Sequence, residues 1–320
     1  MGRSNPTRAG LAQALRQPWL VGAEVAWRWS FGAAALLLAS AAGFGFLDGV
    51  VVTNRDLLAL GSGNPDLVSA AVAHMFQGEG PRVLHALALL VPAVAFLWVA
   101  VASLGRVATL RTLMGASAPV NWFAIVTLHS MRVVLALAAV FAGLGLIGFA
   151  SWVSTTPDAD GFLRPNIGEY LLILIMTLTA LILFWSFLNW LLALAPIFVL
   201  RNGIGPIRSL RRSVGAFCDY KSEFLGATAL TGILRLLALA ILVMVSMTAV
   251  GIFSAAGFRA TLVVLALVTL GYFAVADFLY ISRMAAYVKI CQGNPLADTA
   301  SAAPAALLAN PALSIETTAS

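Results

Sequence analysis

Six long apolar runs, separated by more polar connectors, limit what this chain can fold into. They lie at residues 30–47, 83–103, 133–153, 170–199, 236–256 and 261–281. Each has about the 20 residues that an α-helix needs to cross a bilayer. Only 10% of the residues are charged, against about 25% in a soluble domain, so the chain cannot cover a water-soluble surface. The sequence therefore predicts an all-α, polytopic membrane protein with six transmembrane helices and short interfacial helices.

The charges of the connectors predict the orientation, because Lys and Arg accumulate on the cytoplasmic side. Thirteen of the 19 basic residues fall on one side, and four fall on the other with seven of the 13 acidic residues. The thirteen are Arg3, Arg8, Arg16, Arg28, Arg106, Arg111, Arg201, Arg208, Arg211, Arg212, Lys221, Arg283 and Lys289. This asymmetry predicts a bacterial-type inner (plasma) membrane protein with both termini in the cytoplasm.

The same pattern divides the chain into three parts. Residues 1–29 form a cytoplasmic N-terminal segment with an interfacial helix near residues 8–17, and residues 30–292 form the six-span domain. An outer-surface helix is expected at residues 65–77, since Asn64 suits the N-cap and a proline follows it. The tail at 293–320 is rich in Ala, Pro, Ser and Thr and has no basic residue, which predicts disorder.

A basic amphipathic helix is predicted at residues 206–217, between the fourth and fifth runs. Helical spacing puts Arg208, Arg211 and Arg212 on one face, and Ile, Leu, Val and Phe side chains on the opposite face. Such a helix lies on the inner membrane surface and binds anionic lipid head groups. With Arg201, which precedes the helix, these arginines are the predicted head-group contacts. The apolar face argues against nucleic acid as a partner.

Four polar residues lie within the predicted spans or directly before them, at similar depth: Arg132, Asn189, Arg235 and Asp277. Each is about 16–21 residues from the outer end of its helix, near the inner edge of a hydrocarbon core about 30 Å thick. Ionisable residues inside a membrane are candidates for function. Two interpretations stay open. The favoured one is a structural ion pair of Arg235 with Asp277; the other is an inward-opening cavity that binds a cation, a proton or an anionic head group.

The sequence contains no pattern that predicts catalysis, a cofactor or a metal site. A GxGxxG match at residues 143–148 lies inside an apolar run and has no preceding strand, so it does not indicate a nucleotide site. The three histidines, His74, His85 and His129, lack metal-ligand spacing. We therefore expect no enzymatic activity and no cofactor.

The end of the fourth run resembles a known type of membrane domain. Pro196, Gly203 and the pair Arg212-Ser213 are similar to the pattern in six-helix domains found beside some bacterial glycerophosphodiester phosphodiesterases, and in related multi-pass proteins. In that family a proline ends a helix, an acidic residue and a glycine follow, and Arg-Ser closes a short interfacial helix. Here Asn202 replaces the acidic residue. The resemblance implies a six-span membrane module and transfers no catalytic residue, because the chain has no phosphodiesterase domain.

Two functional hypotheses follow from these patterns. The first is a non-enzymatic membrane module that scaffolds or regulates an envelope- or lipid-related partner, whose identity the sequence does not indicate. The alternative is a small transporter or lipid-handling protein with an inward-facing polar cavity around Asn189, Arg235 and Asp277. A water-accessible cavity that reaches these residues would favour the alternative, and a fully packed interior would favour the first hypothesis.

Overall fold

A computed structural model describes residues 6–115, 120–157, 163–253 and 257–293. The helices in these ranges are α1 (Pro6–Arg16), α2 (Pro18–Leu47), α3 (Asn54–Gly61), α4 (Pro65–Met75), α5 (Gly80–Met114), α6 (Trp122–Ser154), α7 (Ile167–Asn202), α8 (Pro206–Asp219), α9 (Lys221–Phe253) and α10 (Phe258–Gln292). Between α6 and α7, β1 (Thr155–Pro157) pairs antiparallel with β2 (Leu163–Pro165). Apart from Gly293, the predicted tail at 293–320 lies outside these ranges.

Six helices are long and apolar enough to cross a membrane: α2, α5, α6, α7, α9 and α10. The prediction of an all-α, polytopic membrane protein with six spans is therefore confirmed. Their apolar composition suits contact with the lipid bilayer.

The spanning helices extend well beyond their predicted ends. They hold 30 to 36 residues, or about 45–54 Å at 1.5 Å per residue, whereas the hydrocarbon core is about 30 Å thick. Helix α2 begins at Pro18 rather than at residue 30, α6 at Trp122 rather than 133, and α9 at Lys221 rather than 236. The added turns lie on the side of the basic connectors. We call this end of the helices the basic end.

Two compact units make up the chain, and each is described by itself. The small unit comprises residues 26–102, and the large unit comprises residues 1–25 together with the chain from residue 103 onward. In the large unit, buried apolar side chains collect at the basic end of α5, α6, α7, α9 and α10. We call this cluster the packed core. Its largest fully buried members include Leu110, Ile125, Leu194, Phe224 and Tyr287.

Helix α10 occupies the centre of the packed core. Between residues 281 and 291 only Arg283 and Lys289 are partly exposed, and all other side chains are buried. Helices α1 and α9 both pack against α10. A helix that is buried on all sides in this way must have neighbours around it, so the packed core depends on α10.

Helix α1 lies across α10 and is not simply a surface helix, as the sequence predicted for residues 8–17. Its buried face consists of Thr7, Gly10 and Ala14. A Cβ atom added to Gly10 would lie 2.5 Å from the main-chain oxygen of Ser282 and 2.8 Å from the nitrogen of Ala286. Leu15, on another face of the helix, is 68% exposed. The absence of a side chain at Gly10 therefore allows the close crossing.

Two short helices of the small unit, α3 and α4, connect its long helices. Helix α4 begins as predicted, with the Asn64 side chain accepting a hydrogen bond from the Asp66 N–H. Helix α3 was not predicted; a capping box between Thr53 and Asp56 begins it. The hydrogen bonds from the Thr53 hydroxyl and N–H hold the pKa of Asp56 below its ordinary value, and the His74 ring at 3.1 Å acts in the same direction.

Candidate functional site

Two of the four polar residues predicted within the spans contact each other. The Arg132 Nε donates to the Asn189 Oδ1 at 2.6 Å, and the Arg132 Nη2 donates to the Asn189 main-chain oxygen at 3.4 Å. The residues belong to the neighbouring helices α6 and α7. Each lies about 33 Å along its helix from the end opposite the basic end, at 1.5 Å per residue. They therefore lie near the edge of a hydrocarbon core about 30 Å thick.

The other two residues of that prediction, Arg235 and Asp277, differ in burial. The Arg235 side chain on α9 is exposed, whereas Asp277 on α10 is only 6% exposed. At 1.5 Å per residue, Arg235 lies about 27 Å and Asp277 about 29 Å from the helix end that is opposite the basic end. The predicted similarity in depth agrees with these positions. Their ion pair stays a prediction.

A buried polar cluster that the sequence did not predict joins α2 to α5. The Glu24 carboxylate is fully buried, and its Oε2 accepts a hydrogen bond from the Thr109 hydroxyl at 2.7 Å. The Arg106 Nη1 lies 3.6 Å from the Glu24 Oε1. Because a buried carboxylate is costly without partners, these groups depend on one another.

Arg106 continues this polar cluster toward α10. Its guanidinium lies 4.6 Å from the centre of the Tyr280 ring. The guanidinium of Arg283 lies 5.4 Å from the same ring and 6.0 Å from the ring of Tyr287. The distances are those of cation–π contacts, in which the ring face attracts the cation. The result is a continuous series of contacts from Glu24 to Tyr287.

Tyr287 ends the series in an aromatic cluster. Its hydroxyl accepts a hydrogen bond from the Trp190 Nε1 at 2.9 Å and lies 2.6 Å from the Thr228 hydroxyl. Thr228 donates to the main-chain oxygen of Phe224, so Tyr287 is the donor to Thr228. The Trp190 ring also makes an edge-to-face contact with Phe217 of α8, with centroids 4.5 Å apart. The pair Trp190 and Tyr287 thus connects helices α7, α8, α9 and α10.

One signal in the sequence pointed to the missed cluster. Glu24 is the only acidic residue before Asp48, and it lies next to an apolar run. It falls in the predicted cytoplasmic segment at residues 1–29, where a charge would need no partner. Helix α2 instead begins at Pro18, which puts Glu24 inside a helix and against the packed core.

Helix α8 has three faces rather than the two predicted at residues 206–217. The face that packs against the protein consists of Ser209, Ser213 and Ala216, all buried. On the apolar face, Ile207 is 78% and Val214 43% exposed, whereas Leu210 and Phe217 are half-buried against the packed core. Arg208 and Arg211 are exposed on the third face. Small residues, Leu210 and Phe217 thus attach the helix to the protein, and Ile207 and Val214 remain open to other contacts.

The four predicted head-group arginines fall into two groups. Arg208 and Arg211 are exposed, whereas Arg201 and Arg212 are half-buried. The Arg201 Nη1 donates to the main-chain oxygen of Cys291 at the end of α10. Arg201 therefore has a structural contact, and Arg208 and Arg211 are the arginines best placed to meet a ligand at the surface.

Two cavities are relevant to the transporter hypothesis. One, of about 610 Å³, opens at the basic end between α1, α9 and α10, where the Lys289 Nζ donates to the main-chain oxygen of Ala9 at 3.1 Å. The other, of about 660 Å³, lies in the small unit between α2 and α5. Neither cavity is lined by Arg132, Asn189, Arg235 or Asp277. Within the described ranges, no group of three or more His, Cys, Asp or Glu side chains could hold a metal ion.

Comparisons with known proteins found no family model, no curated protein and no solved structure that matches this chain. The resemblance to the membrane domain found beside glycerophosphodiester phosphodiesterases stays an expectation from the sequence.

Proposed function

We propose that this protein is a non-enzymatic membrane module that presents α8 at the membrane surface as a docking site for an envelope- or lipid-related partner. The observation that carries the proposal is the contrast between the packed core and α8. In the core, Arg132 binds Asn189 and Glu24 binds Thr109; on α8, the apolar residues Ile207 and Val214 are exposed, and so are two arginines.

The interior of the large unit argues for a support rather than a transport pathway. Transport sites are formed by polar groups that line a cavity and change their exposure. Here Arg132 is bound to Asn189, and Glu24 is bound to Thr109. Breaking a buried polar pair is costly, and these contacts favour a single rigid arrangement. A rigid interior is suited to holding α8 in a fixed position.

The exposed faces of α8 suit the inner surface of a bacterial-type plasma membrane. Exposed Ile207 and Val214 would enter the lipid boundary, and Arg208 and Arg211 would contact anionic head groups. Each basic residue near such a surface contributes about 1 kcal/mol of binding. On this proposal the basic end, and both termini, face the cytoplasm. A reporter fused at residue 159, outside the described ranges, should therefore be active on the outer side, and cytoplasmic activity would overturn this orientation.

The docking role can be tested by photo-crosslinking in cells. A photoreactive phenylalanine derivative at Ile207 should crosslink to one discrete protein as well as to lipid. The same group at Leu183, a lipid-facing position in the middle of α7, is the matched control and should label lipid alone. Changing Arg208 and Arg211 to glutamate should reduce the protein crosslink. Equal labelling at the two positions would contradict docking on α8.

A flux measurement separates this role from transport. The purified protein in sealed vesicles should give no proton or cation flux above that of protein-free vesicles. An Asp277→Asn variant, which removes the buried carboxylate, should behave identically. A flux that the wild-type protein supports and this variant abolishes would replace the proposed function with the transporter alternative.

A further inference from the structure

The cavity of about 660 Å³ in the small unit is lined mainly by small and aliphatic residues. These include Leu38, Ala42 and Gly45 of α2, and Leu89, Leu90 and Ala93 of α5. A Cβ atom added to Gly45 would have no neighbour within 4 Å, so the space beside this glycine is open. The volume lies within the range of about 300–1,000 Å³ that is usual for ligand sites.

Contacts beyond both ends of the cavity join α2 to α5 and leave the space between them open. Beyond one end of the cavity, the Trp98 ring packs against Phe31 and Trp27, with centroids 4.8 and 6.1 Å apart. At the other end, the Arg82 Nη1 donates to the main-chain oxygen of Gly49 at 2.7 Å. The cavity walls extend from Leu38 to Phe46 on α2 and from Pro81 to Ala93 on α5, or about 12 and 18 Å at 1.5 Å per residue.

The dimensions and position of the cavity match one lipid acyl chain. Half of a hydrocarbon core about 30 Å thick is about 15 Å, which is the length available to a chain from one leaflet. The cavity walls lie within the membrane-spanning parts of α2 and α5. An apolar space there has no water to fill it, and its lining gains dispersion contacts if a hydrocarbon chain enters.

One end of the cavity is polar and basic. Arg82 and His85 line it, and the Arg82 side chain is 59% exposed. Among the described residues, the hydrogen bonds of Arg82, to Gly49 and Glu79, all leave from Nη1. A guanidinium has five N–H donors, so others can serve a ligand. Arginine binds phosphate groups particularly well, because its donors match the phosphate oxygens.

We propose that this cavity binds one acyl chain of an anionic phospholipid, with the lipid phosphate beside Arg82 and His85. The bound leaflet is the one at the start of α5, opposite the basic end. The site is separate from α8, and it does not depend on the docking role proposed for that helix.

Photo-labelling of the purified protein in vesicles tests the proposal. The vesicles contain phosphatidylethanolamine and a trace of phosphatidylglycerol that carries a diazirine on one acyl chain. Peptide mapping should find the label concentrated in residues 38–46 and 82–93. Filling the space with Gly45→Leu should reduce this labelling at least about tenfold, the loss expected when a favourable contact of 1.4 kcal/mol is removed. The Gly43→Leu variant adds the same side chain two positions away, where it does not line the cavity, and should label like the wild type.

The head-group contact is tested separately. An Arg82→Gln variant should lose the preference for the phosphatidylglycerol probe over a phosphatidylethanolamine probe, and Arg82→Lys should retain part of it. Equal labelling by the two probes in the wild type would overturn the anionic head group. Label spread evenly over exposed positions such as Leu36 and Leu37 would overturn the site itself. The wild-type map keeps the proposal testable even if the Gly45→Leu variant does not fold.

Discussion

Replacing Gly10 with alanine is expected to loosen α1 from α10, whereas the same replacement at Gly22 is expected to stabilise the protein. Both glycines lie in helices of the large unit. A Cβ at Gly22 would have no neighbour within 4 Å, but at Gly10 it would lie 2.5 Å from the Ser282 main-chain oxygen. The two substitutions are chemically identical and differ only in what the new methyl group meets.

The magnitudes have opposite signs. Alanine stabilises an open helix position by roughly 0.5–1 kcal/mol relative to glycine, so Gly22→Ala should gain that amount. At Gly10 the same gain applies, but overpacking costs about 1–3 kcal/mol. The clash is with main-chain atoms, which cannot rotate away as a side chain can. A net loss of about 1–2 kcal/mol is therefore expected for Gly10→Ala, in the contact of α1 with α10.

Hydrogen exchange measures this contact directly. A loss of 1–2 kcal/mol corresponds to roughly 5- to 30-fold faster amide exchange in α1, since exchange follows local opening. Exchange in the middle of α7 should not change and serves as the internal control. Equal amide exchange rates in α1 for the Gly10→Ala and Gly22→Ala variants would refute this prediction, because α1 would then not cross α10 at Gly10.

Three further predictions concern the polar contacts. Glu24→Ala should destabilise the protein by about 3–5 kcal/mol, since it leaves a buried arginine without its carboxylate; adding Arg106→Met should recover part of this loss in a thermal unfolding experiment, and simple additivity would exclude coupling. Asn189→Leu should cost about 1–3 kcal/mol because the Arg132 Nε loses its side-chain acceptor, while the longer bond to the main-chain oxygen of residue 189 remains; an unchanged unfolding midpoint would show that the side-chain contact contributes nothing. The lowered pKa of Asp56 means that its capping contribution to α3 is present above the pKa of the unfolded chain. The protection of amides at the start of α3, measured relative to the intrinsic exchange rate at each pH, should therefore fall only as the pH falls through the folded-state pKa, below 3.8; a loss of protection near neutral pH would contradict the assignment.

Hydropathy was sufficient to predict the six spans but not where the helices end. The predicted fifth span begins at residue 236, directly after Arg235, and the first turns of α9 also contain Lys221 and Glu223. The structure continues the helix to Lys221, because Phe224 and Ala227 on one of its faces are buried in the packed core. Hydropathy averaged over a window does not detect a helix whose apolar face contacts protein and whose other face is polar.

Contacts between distant residues account for the rest of what the sequence could not predict. Glu24 and Arg106 are far apart in the sequence, and nothing local marks either as the partner of the other. Gly10 looks like a weak point in a short helix when it is considered by its propensity alone. Glycine is needed at this position because α1 approaches α10 closely there, and only the three-dimensional structure shows this approach. Arg132 and Asn189 were found because each is unusual within an apolar run.

The central position of α10 has a consequence for biosynthesis. It is the last of the six spans to leave the ribosome, and at roughly 5–20 residues per second its 35 residues take about 2–7 s to make. Until then, the faces of α1 and α9 that pack against it have no protein neighbour. Nascent chains thus pass through a short interval in which proteases and insertion factors can recognise them. Any truncation before Phe258 should be degraded rather than accumulate.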